Sequence, residues 1–377
     1  MVAISKRVKA PIKELTPCVH GGNVWEISEK FRIPLNQVID FSGPINPLGT
    51  PKTALERVSQ HLNLIKHYPD PHHEQLVEIL ANSVDVKPDN IIVGNGSTEL
   101  IYLFTEIFVE SGHEAVIPVP TFNEYKMATL RVGGKPQFLR CDPAENFRLD
   151  FTKLERAISR KTRLIFFCNP NSPTGKLYEK DDILRIVTLG AEKDVPVLID
   201  EAYVDFVDDD KRYSMADYVS RHDNLFVLKS LTKFFGLAGL RIGFGIGTPD
   251  IVRILKKAKM PWSVNSLAMF AAIEAVQDDD FIKKSRRLVS RSRRSMSKML
   301  QRVPWLRVYP SETNFFLVEI TRGDLTSTQL KDELARKGIL IRDCSDFDGL
   351  DNRFFRVSVN QPEENKRLAE HLRSFAS

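Results

Sequence analysis

The sequence predicts an α/β protein, with a mostly parallel central sheet in a large unit and a smaller α+β unit drawn from both chain ends. Three observations carry this. Between about Asp89 and Gly247, short β-rich runs alternate with helical patterns. Several of these runs are near-continuously apolar, as parallel strands covered on both faces are. After Pro261 the pattern changes to long basic helices, then short strands and a final helix. The large unit is expected over 50–262, and the small one over 1–49 and 263–377.

Taken in order, the strands expected in the large unit are Asn90–Val93, Glu114–Pro118, Gln137–Arg140, Arg163–Cys168, Pro196–Ile199, Leu225–Lys229 and Ile242–Ile246. Helical spacing intervenes, as over Ser97–Phe108 and Glu179–Glu192, and right-handed crossovers make a single sheet the economical topology. In the small unit, strands are expected at Asn314–Glu319 and Phe354–Val359, with a helix from Glu363.

Composition narrows the class. The 377 residues are 42% apolar and 27% charged, which excludes a disordered, collagen-like or coiled-coil chain. No apolar run approaches the ~18 residues of a membrane span, and no secretory h-region is visible near the start. The four cysteines, Cys18, Cys141, Cys168 and Cys344, form no C-x-x-C pair. A reducing cytoplasm, without disulfides or a structural metal, is the expectation. The net charge of +5 is local, because the nine Lys and Arg between Lys283 and Arg302 outweigh it. That stretch reads as an amphipathic helix with a solvated basic face rather than a nucleic-acid surface.

Four constellations carry chemistry. In Ser230-Leu-Thr232-Lys233-Phe-Phe-Gly-Leu-Ala-Gly-Leu-Arg241, a strand runs into a small-residue loop holding one lysine. Burial or a nearby cation frees a lysine amine for Schiff-base chemistry, while Ser230, Thr232 and Arg241 suit a phosphate. Gly94-Asn-Gly96-Ser97-Thr98 is a glycine turn opening a helix, where free N–H groups attract anions. It lacks the complete dinucleotide and nucleotide loop patterns, so NAD and ATP lose support. Val197-Leu-Ile-Asp200-Glu-Ala-Tyr203 ends a strand with a carboxylate facing the crevice where ligands of open α/β sheets bind. Asn169-Pro-Asn171-Ser172-Pro-Thr-Gly is a rigid polar turn facing the same crevice.

In this order and spacing, the four resemble the fold-type I pyridoxal-phosphate enzymes over nearly the whole chain. Ser-x-Thr-Lys-x-x-x-Leu-Ala-Gly-x-Arg is similar to the cofactor signature of the aminotransferase class that includes histidinol-phosphate aminotransferase. By that resemblance Lys233 carries pyridoxal 5'-phosphate as a Schiff base, Asp200 pairs with the ring nitrogen and Tyr203 contacts the ring hydroxyl. Phe122, in Pro120-Thr-Phe-Asn-Glu-Tyr, would stack on the ring, with Asn171 and Ser172 near its oxygen. Gly96, Ser97, Thr98, Ser230, Thr232 and Arg241 would surround the phosphate. Tyr68 would reach the neighbouring subunit's phosphate, which implies a homodimer.

The chain ends point to a substrate. His20-Gly21-Gly-Asn and Asp40-Phe-Ser-Gly-Pro-Ile-Asn46-Pro-Leu-Gly49 resemble the threonine-phosphate decarboxylases of cobalamin biosynthesis, as does the stretch from Ile341 to Val359. The resemblance implies that Arg342 binds a substrate phosphate and Arg356 a carboxylate, with His20 and Gly21 beside them. It implies decarboxylation of O-phospho-L-threonine to (R)-1-aminopropan-2-yl phosphate and carbon dioxide. The alternatives are histidinol-phosphate or other transamination, and decarboxylation of O-phospho-L-serine. Two positions depart from the family's pattern: Pro44 and Ser172 each stand where it carries Asn.

Overall fold

The computed structural model describes Ile4 to Phe375, and residues 1–3 and 376–377, at the ends of the expected small unit, lie outside the described residues. The strands in chain order are β1 (Ile39–Asp40), β2 (Ile91–Gly94), β3 (Glu114–Val119), β4 (Lys135–Arg140), β5 (Thr162–Cys168), β6 (Val197–Asp200) and β7 (Leu225–Ser230). There follow β8 (Gly243–Ile246), β9 (Leu306–Val308), β10 (Phe315–Ile320), β11 (Ile339–Leu340), β12 (Arg342–Asp343) and β13 (Phe354–Ser358). The seven strands expected from the large-unit sequence are β2 to β8, each displaced at its ends by two residues or fewer.

These seven form one sheet in the order β2-β8-β7-β6-β5-β3-β4. The neighbours from β7 to β4 are parallel, while β8 runs antiparallel to both β2 and β7. The sequence of β8 explains how it fits there. A Cβ at Gly245 would lie 2.3 Å from the Phe226 ring, and one at Gly243 would lie 2.7 Å from Ser97 N. Only a strand with glycine at both positions allows the ring and the turn to approach so closely.

Helices cover both faces and divide the core. One face packs Leu76, Leu80, Ile186, Val187 and the helix Ser266–Gln277 against Ile165, Val197, Val227 and Phe244. On the other, Leu100, Phe104 and Val252 meet Phe166, Leu198 and Phe226. The buried face of Ser266–Gln277 therefore belongs to the large sheet's core, although the sequence places the change of unit at 262.

A second sheet, in the order β12-β13-β10-β9, is antiparallel and shares its core with Phe41, Leu330, Leu368 and Leu372. β1 pairs in parallel with β11, Ile39 opposite Ile339 and Asp40 opposite Leu340, which stitches the N-terminal segment to the C-terminal one. Among the described residues no helix is long and apolar enough to cross a membrane.

The basic stretch is the helix Asp279–Leu300, whose buried side includes Val289, Met296 and Leu300. Most of its Lys and Arg side chains are exposed, but two turn inward. Arg286 pairs with Asp210 at 2.7 Å and donates through Nε to the Asp205 carbonyl at 3.0 Å. Arg293 is buried and pairs with Glu312 at 2.8 Å. These two arginines tie the long helix to the acidic segment after β6 and to the turn before β10, which gives part of the charge cluster a structural role. Arg286→Ala is expected to lower stability by about 1–3 kcal/mol, since it leaves a half-buried carboxylate and a carbonyl unpaired. Chemical denaturation of the variant beside the native chain measures this, and an unchanged midpoint would refute it.

Candidate active site

The register of the sheet assembles the site. Gly94, Gly243 and Ser230 are consecutive cross-strand partners, so the turn after β2 and the lysine segment after β7 meet at one edge. Cys168 and Asp200 pair at the same edge, which is the carboxyl end of the parallel strands. There a cavity of about 700 Å³ opens between the two sheets, within the range of small-molecule sites.

Lys233 lies in the short helix Leu231–Phe234 and lines this cavity. Its Nζ donates to Thr232 Oγ1 at 3.1 Å, and Thr232 shares a 2.7 Å bond with Ser230 Oγ. The N-terminal segment buttresses it from behind. Asn46 N donates to the Lys233 carbonyl at 3.0 Å, and Asn46 Nδ2 donates to the Phe234 carbonyl at 2.6 Å. Burial, then the positive charges of Arg241 and Arg356, lower the Lys233 ammonium to about 8, while Asp200 opposes the shift. A reactive free amine is thus populated near neutral pH.

Gly96 and Arg241 form a cradle. Gly96 has φ +69°, and a Cβ there would lie 2.8 Å from Arg241 Nη2. Arg241 itself adopts φ +60°, a costly backbone for a long side chain. The guanidinium, the opening N–H groups of the helix Gly96–Phe108, and the hydroxyls of Ser97, Thr98 and Ser230 border one end of the cavity. Helix dipole and arginine charge both favour a dianion there.

Asp200 is buried at the end of β6. Its Oδ2 accepts from the Tyr125 hydroxyl at 2.8 Å, and its Oδ1 accepts from Ala202 N at 3.0 Å. Burial raises the Asp200 carboxyl, and these two bonds and Lys233 work against that rise. Tyr203 is buried against Phe315, and burial pushes its phenol up to about 12, so it stays a donor. Phe122 borders the cavity, edge-on to Tyr125 at 5.7 Å.

On the opposite wall stand Arg342 and Arg356, directly paired across β12 and β13. Arg356 donates from Nη1 to Ser172 Oγ and from Nη2 to the Ser42 carbonyl, both at 2.8 Å. Its Nε is buried without a partner. Arg342 Nη2 donates to the Val19 carbonyl at 2.7 Å and pairs with Asp346 at 2.9 Å, and Nη1 donates to the Asp343 carbonyl. Residues 19–22 cross the cavity mouth as a strap. His20 Nε2 pairs with Glu124 at 2.8 Å, Gly22 N donates to Ser42 Oγ at 2.7 Å, and a Cβ at Gly21 would strike the Ser42 carbonyl at 2.3 Å.

Three expected residues are not among those lining this cavity; one of them, Gly96, lies directly against Arg241. Asn171 is not among its lining residues, because its amide is engaged by Thr121 Oγ1, the Pro120 carbonyl and Thr174 Oγ1 at 2.7–2.9 Å. Ser172 is the member of that turn that faces the site. Tyr68 is 80% exposed and stacks on Trp262 at 4.7 Å, away from the cavity within one chain. Sequence reasoning passed over Glu124, Tyr125 and Asp346. The first two lie in the Pro120–Tyr125 run, of which the family resemblance points to Phe122 alone. Polar side chains at the start of a helix read as ordinary first-turn residues until their partners are known.

Taken as a donor set, the cavity fits a molecule with a dianion at the Arg241 cradle, an aldehyde at Lys233 and a basic ring atom at Asp200. The lowered Lys233 ammonium makes an expectation of its own. Capture of a small aldehyde by the protein without cofactor, trapped by borohydride and mapped to Lys233 by mass spectrometry, should rise with pH and level off above about 8. A rate still climbing steeply beyond pH 10 would show an ordinary lysine.

Comparison with known proteins agrees with this geometry. The family model described as aminotransferase class I and II matches residues 36–372. A Caldanaerobacter subterraneus protein named "putative threonine-phosphate decarboxylase" is 38% identical over 361 residues, covering 96% of this chain and 95% of its own. A histidinol-phosphate aminotransferase from Methanothermobacter thermautotrophicus is 35% identical over 367 residues, 97% of this chain and 96% of its own. Among solved structures, L-threonine-O-3-phosphate decarboxylase from Porphyromonas gingivalis aligns with a TM-score of 0.78 and 28% identity over 89% of this chain and 98% of its own. The fold is that of the fold-type I pyridoxal-phosphate transferases, and pyridoxal phosphate is the cofactor that members of the family bind. Sequence, sheet order and site thus converge, and the chain belongs to the aminotransferase class I and II family.

Proposed function

We propose that this protein is a decarboxylase of O-phospho-L-threonine, releasing carbon dioxide and (R)-1-aminopropan-2-yl phosphate. The observation that carries this reading is the wall of adjacent guanidiniums, Arg342 and Arg356, closed over by the His20–Gly21 strap. Two arginines side by side suit a small substrate that bears a carboxylate and a phosphate together. The 38% identical relative supports the same choice. Histidinol-phosphate transamination is the second reading, favoured by the 35% identical relative.

Bound pyridoxal 5'-phosphate supplies the electron sink for the pair released when a bond to the substrate Cα breaks. Lys233 would hold the cofactor through its aldehyde carbon, its free amine being the nucleophile the cavity offers. Ser97, Thr98, Ser230 and Arg241 would hold the cofactor's phosphate, with Thr232 bonded to Ser230. Asp200 would accept from the ring nitrogen, Tyr203 would donate to the ring oxygen and Phe122 would cover a ring face. Arg356 takes the substrate carboxylate, using the unpartnered Nε beside its bonds to Ser172 and Ser42. Arg342 takes the substrate phosphate, which must displace Asp346 from it. The leaving carboxylate departs as carbon dioxide, and one proton is returned to Cα, with Lys233 as the acid–base group in the cavity.

The exposed Tyr68–Trp262 stack, with Ile65 and Met260 exposed nearby, supports a homodimer in which Tyr68 reaches the partner's cofactor phosphate. Sedimentation velocity should report a dimer at micromolar concentration, and a monomer would refute this part of the reading.

The loaded enzyme, given O-phospho-L-threonine, O-phospho-L-serine and histidinol phosphate with 2-oxoglutarate in turn, should release carbon dioxide fastest from the first. Arg342→Gln should raise KM for that substrate roughly tenfold or more, as expected for a lost bond between charged groups. Glutamate production from histidinol phosphate, without carbon dioxide release from either phosphoamino acid, would overturn the proposal in favour of the second reading.

A further inference from the structure

Behind Asp200 lies a group for which the reaction as described has no use. Tyr125 is completely buried, with its ring stacked on Phe166 at 4.8 Å and 14°. Its hydroxyl is 2.8 Å from Asp200 Oδ2. Burial and the adjacent carboxylate hold the phenol well above its usual range, so it remains protonated and can only donate to that oxygen. Its bond, with that from Ala202 N and the charge of Lys233, favours the ionised form of Asp200 against burial. An unpaired carboxylate in so dry a place would take up a proton and become neutral.

We propose that Tyr125 is a positioning residue that keeps Asp200 anionic and oriented toward the ring nitrogen of the bound cofactor. The proposal rests on the reading that Asp200 meets that nitrogen. The geometry leaves the carboxylate little choice: Ala202 N fixes one oxygen and the Tyr125 hydroxyl fixes the other, while the Phe166 and Phe122 rings hold the phenol in place. Without the hydroxyl, Asp200 would share less negative charge with the ring nitrogen, and the ring would be a weaker electron sink.

The test separates this role from a structural one. Binding of pyridoxal 5'-phosphate, and of its 1-deaza analogue in which CH replaces the ring nitrogen, is titrated into cofactor-free native protein and Tyr125→Phe. Thermal unfolding of both proteins without cofactor is followed in parallel. The expected result is a loss of roughly tenfold in affinity for the natural cofactor in Tyr125→Phe, with less than twofold for the deaza analogue. The visible absorbance of the lysine-bound cofactor should also titrate differently with pH in the variant. Tyr125→His, which keeps a donor, should recover most of the affinity. Should Tyr125→Phe not fold, Tyr125→Leu takes its place in the same titrations.

Equal losses for the two cofactors would make Tyr125 a packing residue and overturn the proposal, as would no loss for either. If the native protein binds both cofactors equally well, the contact between Asp200 and the ring nitrogen is itself refuted. That outcome is read from the native protein alone, so it is distinguishable from a failure of Tyr125.

Discussion

The site depends on one constraint of sheet geometry, the cross-strand row Gly94–Gly243–Ser230. Because β8 runs against its neighbours, its first glycine lies between the ends of β2 and β7. Any side chain at Gly243 would push Ser97 N and the Lys229 carbonyl apart. With glycine there, the Gly96 turn and the Lys233 segment close on the same space, and Arg241 lies against Gly96 where a Cβ would otherwise stand. The amine and the anion cradle are thus products of one close approach of backbone.

The second determinant is electrostatic. Lys233, Arg241, Arg342 and Arg356 line one cavity with Asp200 and Asp40, and burial opposes charge on Lys233, Asp200 and Asp40. The structure answers with bonds that are each specific. Asp40 accepts from Ser42 N and Ser42 Oγ at 2.7 Å, Asp200 accepts from Tyr125 and Ala202, and Arg342 is met by Asp346. Among the described residues no carboxylate is hydrogen-bonded to Lys233, and burial, then the charges of Arg241 and Arg356, lowers its ammonium. The lysine left without an acidic partner is the one whose chemistry needs a free amine.

The same logic divides the basic residues of the long helix. Arg286 and Arg293 are held by acidic partners and link elements far apart in sequence, whereas Lys283, Lys284, Arg287 and Arg291 are exposed. The excess charge was local in sequence, and in space it splits into a structural part and a solvated part. The charges that face anions in the cavity are a separate set, and the net count carries no information about them.

By itself the sequence determined the class of fold, the seven strands of the large sheet and the motifs around Lys233, Asp200 and Gly96. These are local signals: apolar runs of strand length, glycine where backbone must turn, and a lysine and a carboxylate at strand ends. Only the tertiary structure decided which member of the Asn171–Ser172 pair faces the cavity, because the answer lies in Thr121 and Pro120, about fifty residues earlier in the chain. It alone joined Asp200 to Tyr125, His20 to Glu124 and Arg342 to the Val19 carbonyl. It also placed the helix Ser266–Gln277 in the large core, since an apolar helix carries no mark of which sheet it will cover. Spacing along a chain records what each segment becomes, while the partner of a buried polar group is set by packing between segments distant in sequence.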